Sequence, residues 1–489
     1  MITDLTRRIN NTLITRTNYE VLNLNNSDIA EISDTIIHML DLPDGNVFIT
    51  TIPRNLHLYK LLDCSNSRLS IITPRLINLT YLNCCNSFIT SLPETLINLE
   101  YLNISQTHIE IIPSVFTKLK AINCNDTQIA IIPDTFTELT RLDCMDTEIT
   151  ELPDSLNKLQ ILNCVNSNLQ YIPDNFINLH FINCKSTDIE TFPNTLVNLK
   201  YLNCCETNVE EIPLTLVNLI NLNCEDTVIS EIPETLIKLV SLNCSSSMIS
   251  NLPYTLINLK VLDFANTGVE DIPHSYNQLV KLSCEGSSVN YIPYTFTNLI
   301  ELNISDTTIE QLPNTLSKLM RLKCEGSNLK SIPEEYTNLI SLDCQISNLK
   351  EIPNTLTNLT DLSCSRTDIE ILPTTLTNII SIDCSHTLIS DIPNEYTNLQ
   401  LLNCSNTPVI TIPNKLINLE LLISNDTAIQ NPKHITNLRK KNKIAYIKFM
   451  KKYKFNKKMK TLWKIAEYYT IKKYNPANLS IEFIEELTR

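Results

Sequence analysis

Glycine is nearly missing, with 4 residues in a chain of 489. Phosphate-cradling loops and a succession of tight hairpins both need more than that. Long apolar runs are missing as well. No stretch of about 18 apolar residues occurs, so no membrane-spanning helix is expected. Met1–Arg16 alternates polar and apolar residues around Arg7 and Arg8, and no run of signal-peptide length follows. A cytoplasmic location is the expectation. The histidines, at 38, 57, 108, 180, 274, 386 and 434, are scattered, with no metal pair or nucleophile partner among them. No P-loop, nucleophile elbow or kinase signature is present. Neither catalysis nor a cofactor nor a metal site is expected.

What the chain does have is charge separated along its length. The net charge is −14. Lys433–Arg489 alone holds 16 basic and 4 acidic residues, which leaves 23 basic and 49 acidic residues in the remainder. An acidic body therefore precedes a basic tail.

From Leu22 to Pro432 one pattern returns every 20 residues without a slip in phase. One unit reads Leu99, Leu102, Ile104, Thr107, Ile109, Ile112, Pro113, Phe116, and Leu119 begins the next. The consensus is L-x-x-L-x-C-x-x-T-x-I-x-x-I-P-x-x-L-x-x. Its second leucine, followed from Leu22 to Leu422, marks 21 units. The unit at Leu42 is degenerate, with Asp44 and Gly45 inside it, and the unit at Leu422 has Ser424 in the Cys slot. Residues 102 and 104 have the spacing that puts side chains on one face of a strand. Residues 101, 103 and 105 are then expected to point away from the core. Ile109, Ile112, Phe116 and Leu119 curl the chain back around that core, and Pro113 fixes φ where the chain leaves the ladder. A single coil cannot bury its apolar side, but a stack of coils can.

This consensus resembles the leucine-rich repeat, whose usual form is L-x-x-L-x-L-x-x-N-x-L. The resemblance runs from about Tyr19 to Pro432. Thr or Ser replaces the usual Asn (Thr107, Thr127, Thr147, Ser167), and Cys replaces the third Leu. The 20-residue length and the Ile-Pro pair are similar to the short repeats of bacterial effector proteins. The Asn- and Ile-rich wording is similar to leucine-rich-repeat proteins of the giant DNA viruses of amoebae, which would place the chain in a host cytoplasm. The resemblance implies a repeat solenoid, a right-handed β/α-type superhelix. It further implies a curved parallel sheet on a concave face and a partner protein bound there. With roughly ten residues for the return path, extended or 3₁₀ segments are expected on the convex face. Some bacterial effectors with similar repeats are ubiquitin ligases that use a Cys in a large C-terminal domain. The 57 residues after Pro432 contain no Cys, so that activity is not expected.

Fifteen of the 17 cysteines fall in one slot of the repeat, from Cys64 to Cys404, and only Cys85 and Cys205 lie outside it. Parallel side chains do not converge on a metal, nor do they aim at one another as a disulfide requires. The same slot accepts Leu24, Ile104, Phe264 and Ile304, so it reads as apolar packing, with Cys as a small core residue. So many thiols suit a reducing compartment. The Thr/Ser column reads as a structural substitute for the family's Asn, bonding backbone groups of neighbouring turns.

Two solvent-facing columns remain. The middle one is nearly always Asn or Asp (Asn83, Asn103, Asn123, Asp143), which reads as a polar ladder along the sheet. The first one varies: Leu61, Tyr81, Tyr101, Ala121, Arg141, Ile161, Phe181, Tyr201. Aromatic residues in slots that could be polar are typical interface anchors. Tyr81, Tyr101, Ile161, Phe181 and Tyr201 are accordingly the candidate partner-binding residues. The competing reading is that they only cover one another along the sheet.

Residues 1–18 are expected to form an N-terminal helical cap, residues 19–432 the solenoid, and residues 433–489 a basic helical cap or tail. In the tail, Leu438, Ile444, Ile447, Met450 and Tyr453 recur at helical spacing among lysines. Such a tail suits the capping of an open solenoid end, or docking to nucleic acid or an anionic membrane surface. No small-molecule substrate is expected.

Overall fold

The computed structural model describes the backbone of Val21–Asn23, His57, and residues 59–429. Both expected caps lie outside these residues, as does the unit at Leu42. The described residues form a parallel β-solenoid of 20-residue coils, each contributing one three-residue strand. No α-helix occurs among them. By contacts the chain divides into two compact units, residues 1–236 and 237–489.

In the first unit, strand β1 (Val21–Asn23) pairs in parallel with β2 (Leu61–Asp63), Leu22 opposite Leu62. From β2 the strands follow at steps of twenty, through β3 (Tyr81–Asn83) and β4 (Tyr101–Asn103) to β10 (Asn221–Asn223). In the second unit they run likewise from β11 (Ser241–Asn243) to β20 (Leu421–Ile423). Register is strict within each unit: Tyr81 opposite Tyr101, Leu82 opposite Leu102, Asn83 opposite Asn103.

The core follows from the repeat. Leu99, Leu102, Ile104, Ile109, Ile112 and Phe116 are all buried, and their equivalents recur in each coil. Each such side chain contributes about 1.5–3 kcal/mol of burial against the entropy of ordering its coil. The return path is a pair of tight turns, with Leu96 N–H donating to Pro93 O at 3.2 Å and Leu99 N–H to Leu96 O at 3.2 Å. These three-residue hydrogen-bonded turns are 3₁₀-like, as the short return path requires.

Two columns differ from their sequence reading, and a third has a further role. The strand ends at residue 103, so residue 105 sits in the turn beyond it instead of standing free on the sheet face: Ser105 is 7% exposed and Cys205 2%, while Asn125, Met145 and Lys185 are half-buried. The Thr/Ser hydroxyls bond within their own coil and not to neighbouring turns. Thr107 Oγ1 donates to Ile104 O at 2.6 Å, and Thr127 Oγ1 to Cys124 O at 2.6 Å. A short hydroxyl cannot span coils as an amide does, but it closes the local turn. The column thiols are buried, as expected of core residues, and free. They also act as donors between coils, with Cys84 Sγ on Asn103 O at 3.3 Å. Burial, and for Cys124 the nearby Asp143, pushes the thiol from its ordinary 9.0 to about 12.

The scarcity of glycine has a conformational counterpart. The residue five after each strand's first lies in the left-handed region, from Asn66 (φ 53) to Asp426 (φ 51). Asn and Asp tolerate it best, and they fill much of the column. Ile346 (φ 55) is a β-branched exception. At Gly286 an added Cβ would crowd Asn266 Oδ1, so glycine lets that side chain keep its place.

Candidate functional site

The aromatic column lies on the outer face of the first unit's sheet. Parallel register puts Tyr81 directly beside Tyr101, and their rings stack at 4.5 Å with 5° between planes. Phe181 and Tyr201 repeat the arrangement at 4.5 Å and 7°. Ile161 lies in register beside Phe181. The five residues thus form two groups, Tyr81–Tyr101 and Ile161–Phe181–Tyr201. Ala121 and Arg141 separate them, and Arg141 is held by Asp143 of its own strand at 2.6 Å.

The two groups differ in depth. Ile161 (8% exposed) and Phe181 (6%) are buried, whereas Tyr81, Tyr101 and Tyr201 are half-buried. Burial raises the phenol of Tyr101 to about 12, with neighbouring Tyr81 adding to the shift, and burial alone does the same for Tyr201. The surface is therefore uncharged at neutral pH, with apolar ring faces and hydroxyl donors at its edge. Such a surface can take up an apolar or aromatic side chain and orient it by hydrogen bonds. It carries no activated nucleophile.

The polar ladder beside it is mainly a turn device. Asn103 Oδ1 accepts from Ser105 N–H at 3.1 Å and Ser105 Oγ at 2.8 Å. Asn203 Oδ1 accepts from Cys205 N–H at 3.2 Å. This closes the bend that leads into the left-handed residue. Asn163 and Asn183, two residues along their strands from Ile161 and Phe181 on the same face, break the series: their Oδ1 atoms are buried and accept no hydrogen bond. Native structures leave few such groups, so these two coils are less well satisfied than their neighbours.

The sequence reading missed a second polar column, on the return path one residue before the first leucine of each unit. Asn98 Nδ2 donates to Ile77 O at 2.9 Å, Asn198 Nδ2 to Ile177 O at 3.0 Å, and Asn358 Nδ2 to Thr337 O at 2.9 Å. Here an amide stitches each coil to the one before, the role expected of the Thr/Ser column. The recurring Asn-Leu dipeptide was the available signal.

No protein-family model matches the chain, and no curated protein matches it in sequence. Solved structures do match. YopM from Yersinia enterocolitica superposes with a TM-score of 0.64 at 20% identity, over 88% of this chain and 95% of that one. A leucine-rich-repeat protein of Leptospira interrogans gives 0.55 at 20% identity, over 73% and 93%. The Arabidopsis receptor kinase HAESA, in complex with the peptide hormone IDA and the co-receptor SERK1, gives 0.52 at 19% identity, over 84% and 81%. The fold is that of the leucine-rich-repeat proteins. Among the described residues, no helix is long and apolar enough to cross a membrane.

Proposed function

We propose that this chain is a protein-binding scaffold, not an enzyme, and that a partner protein docks on the outer sheet face of its first unit, at Tyr81, Tyr101, Ile161, Phe181 and Tyr201. The observation that carries this reading is the pair of ring stacks on a face whose other column is uniformly Asn or Asp. Stacking presents rigid, uncharged anchors at low entropic cost, the property found at interface hot spots. The unsatisfied Asn163 and Asn183 beside the deeper stack are further support. A fold shared with a receptor solved with a bound peptide hormone is consistent with it. Tyr81, Tyr101 and Tyr201 supply the contact. Phe181 holds Tyr201 from the side by stacking on it, and Ile161 covers Phe181 in turn.

The test is affinity capture from cell lysate with the intact chain and with a Tyr81/Tyr101/Phe181/Tyr201→Ala chain. The expected result is a discrete protein partner retained by the first and reduced at least about tenfold by the second, the loss that hot-spot truncation produces. Equal capture by both chains overturns the assignment of the site. Docking to nucleic acid or an anionic membrane through Lys433–Arg489 has only the tail's charge behind it, and it predicts binding that falls steeply with salt.

A further inference from the structure

The second unit carries a groove of about 970 Å³ along the edge where its strands begin. Its floor is the residue before each strand: Ile300, Met320, Ile340 and Ile380, with Thr360 and Gln400 completing the row. Its rim is the return-path asparagine column from Asn338 to Asn418. Each rim amide is fixed by its own Nδ2, which donates to the preceding coil: Asn338 to Ser317 O at 2.8 Å, Asn378 to Thr357 O at 2.9 Å, Asn418 to Thr397 O at 2.8 Å. That leaves Oδ1 as the outward acceptor. The chain itself shows what such an oxygen takes. At the first coil of the groove, Lys318 Nζ donates to Asn298 Oδ1 at 2.8 Å, and in the first unit Lys118 Nζ donates to Asn98 Oδ1 at 2.7 Å. From Asn338 to Asn418 no lysine occupies the column, and among the described residues no side chain donates to these oxygens. The groove is thus an apolar trough beside a row of ammonium acceptors.

We infer that the groove is the docking site of this chain's own basic segment, Asn437–Phe455. Tyr446, Phe449, Met450 and Tyr453 are spaced i, i+3, i+4, i+7, the pattern of one helical face. Lys440, Lys443, Lys451 and Lys454 flank that face. The lengths agree. Six coils at about 4.8 Å make roughly 29 Å of groove, and 19 helical residues at about 1.5 Å span roughly 28 Å. The connection is short, because the groove ends at Asn418 and the basic segment begins at Asn437. Charge is complementary: residues 237–432 hold 20 acidic and 10 basic side chains, the tail 16 basic and 4 acidic. The docked segment places its apolar face on Ile300–Ile380 and its lysines on the Oδ1 row. It does not depend on the sheet-face reading, which concerns other residues of the other unit.

The test places a benzoylphenylalanine photocross-linker at Met450 of the full chain and maps the products by peptide mass spectrometry. Cross-links within one chain to residues between Met320 and Gln400 are expected. A triple Lys443/Lys451/Lys454→Glu chain, whose changes leave the solenoid untouched, should lose these products at least tenfold. Ile340→Glu with Ile380→Glu should do the same from the groove side. Cross-links confined to the last coil, cross-links joining two chains, or yields indifferent to the lysine changes overturn the inference. A second copy as the occupant would show as the chain-to-chain product.

Discussion

The two units build the same coil and place their outward apolar side chains in different columns. In the first unit, the first strand position holds Tyr81, Tyr101, Ile161, Phe181 and Tyr201, while the residue before the strand is polar from Lys60 to Lys200, with Glu100, Lys120, Gln160 and His180 among them, and turns apolar only at Ile220. In the second unit the columns exchange character. Between β13 (Lys281–Ser283) and β18 (Ser381–Asp383) the first strand position holds Lys281, Glu301, Arg321, Ser341, Asp361 and Ser381, and the residue before it Val280, Ile300, Met320, Ile340, Thr360 and Ile380, while Val261, Leu401 and Leu421 outside that run keep the first unit's apolar character. The core columns cannot vary, because every coil must fill the space between its neighbours. Columns one residue apart at the surface are under no such demand. Where identical coils differ systematically, the difference marks what each unit meets outside itself.

The core slots should respond alike in both units, and alkali gives the largest test. Buried thiols in both resist ionisation: Cys124 in the first and Cys364 in the second are each raised to about 12. Because the folded value lies above the unfolded one, this contribution is complete below about pH 9 and is lost as pH rises toward 12. Each thiol forfeits about 1 kcal/mol by pH 10. Urea midpoints should be flat from pH 6 to 8 and fall steeply above 9. Coil-resolved hydrogen exchange should show both units loosening together. If one opens a full pH unit before the other, the equivalence of their cores is broken.

A smaller effect separates the units. The slot filled by Phe176 in the first is filled by Tyr336 in the second, whose hydroxyl donates to Pro313 O at 2.9 Å. Truncation to Ala should cost about 3–5 kcal/mol at either position. Tyr336→Phe should cost about 1 kcal/mol, the worth of its single hydrogen bond. Thermal denaturation of the three variants reads both numbers. Smallest of all is the return-path column. Asn358→Ala removes an inter-coil amide bond and should cost about 0.5–1 kcal/mol. Lys158→Ala removes only an exposed pair with Glu138 and should be near neutral.

Most of the fold was legible in the sequence because packing enforces period. Leu102, Ile104, Ile109 and Phe116 had to point inward, and a strict 20-residue phase permits one stacking. The cysteine slot was legible for the same reason, since Ile104 and Phe264 share it. What escaped were the consequences of hydrogen-bond reach. Nothing in the spacing shows that the strand stops at Asn103, because the turn is closed by the Asn103 carboxamide and not by an apolar contact. Thr107 stands at the family's Asn position but is too short to leave its own coil. The stitching between coils passes to Asn98 and its equivalents, and the groove they border with Ile340 and Ile380 appears only once the coils are stacked. At the candidate site, the column and its aromatics were visible in sequence. The division into two stacks, and the burial of Ile161 and Phe181, depend on which neighbour each ring finds.

The direct pairing of β1 with β2, forty residues apart in sequence, bears on how such a molecule changes size. Register is set by the neighbour in space: Leu22 meets Leu62 as Leu82 meets Leu102, so each side chain keeps its face. A shift of one residue would turn each strand inside out. Length is therefore quantised: a chain of this kind can gain or lose twenty residues at a stroke, and duplication or deletion of one complete unit is the mutational step that leaves all remaining columns in place.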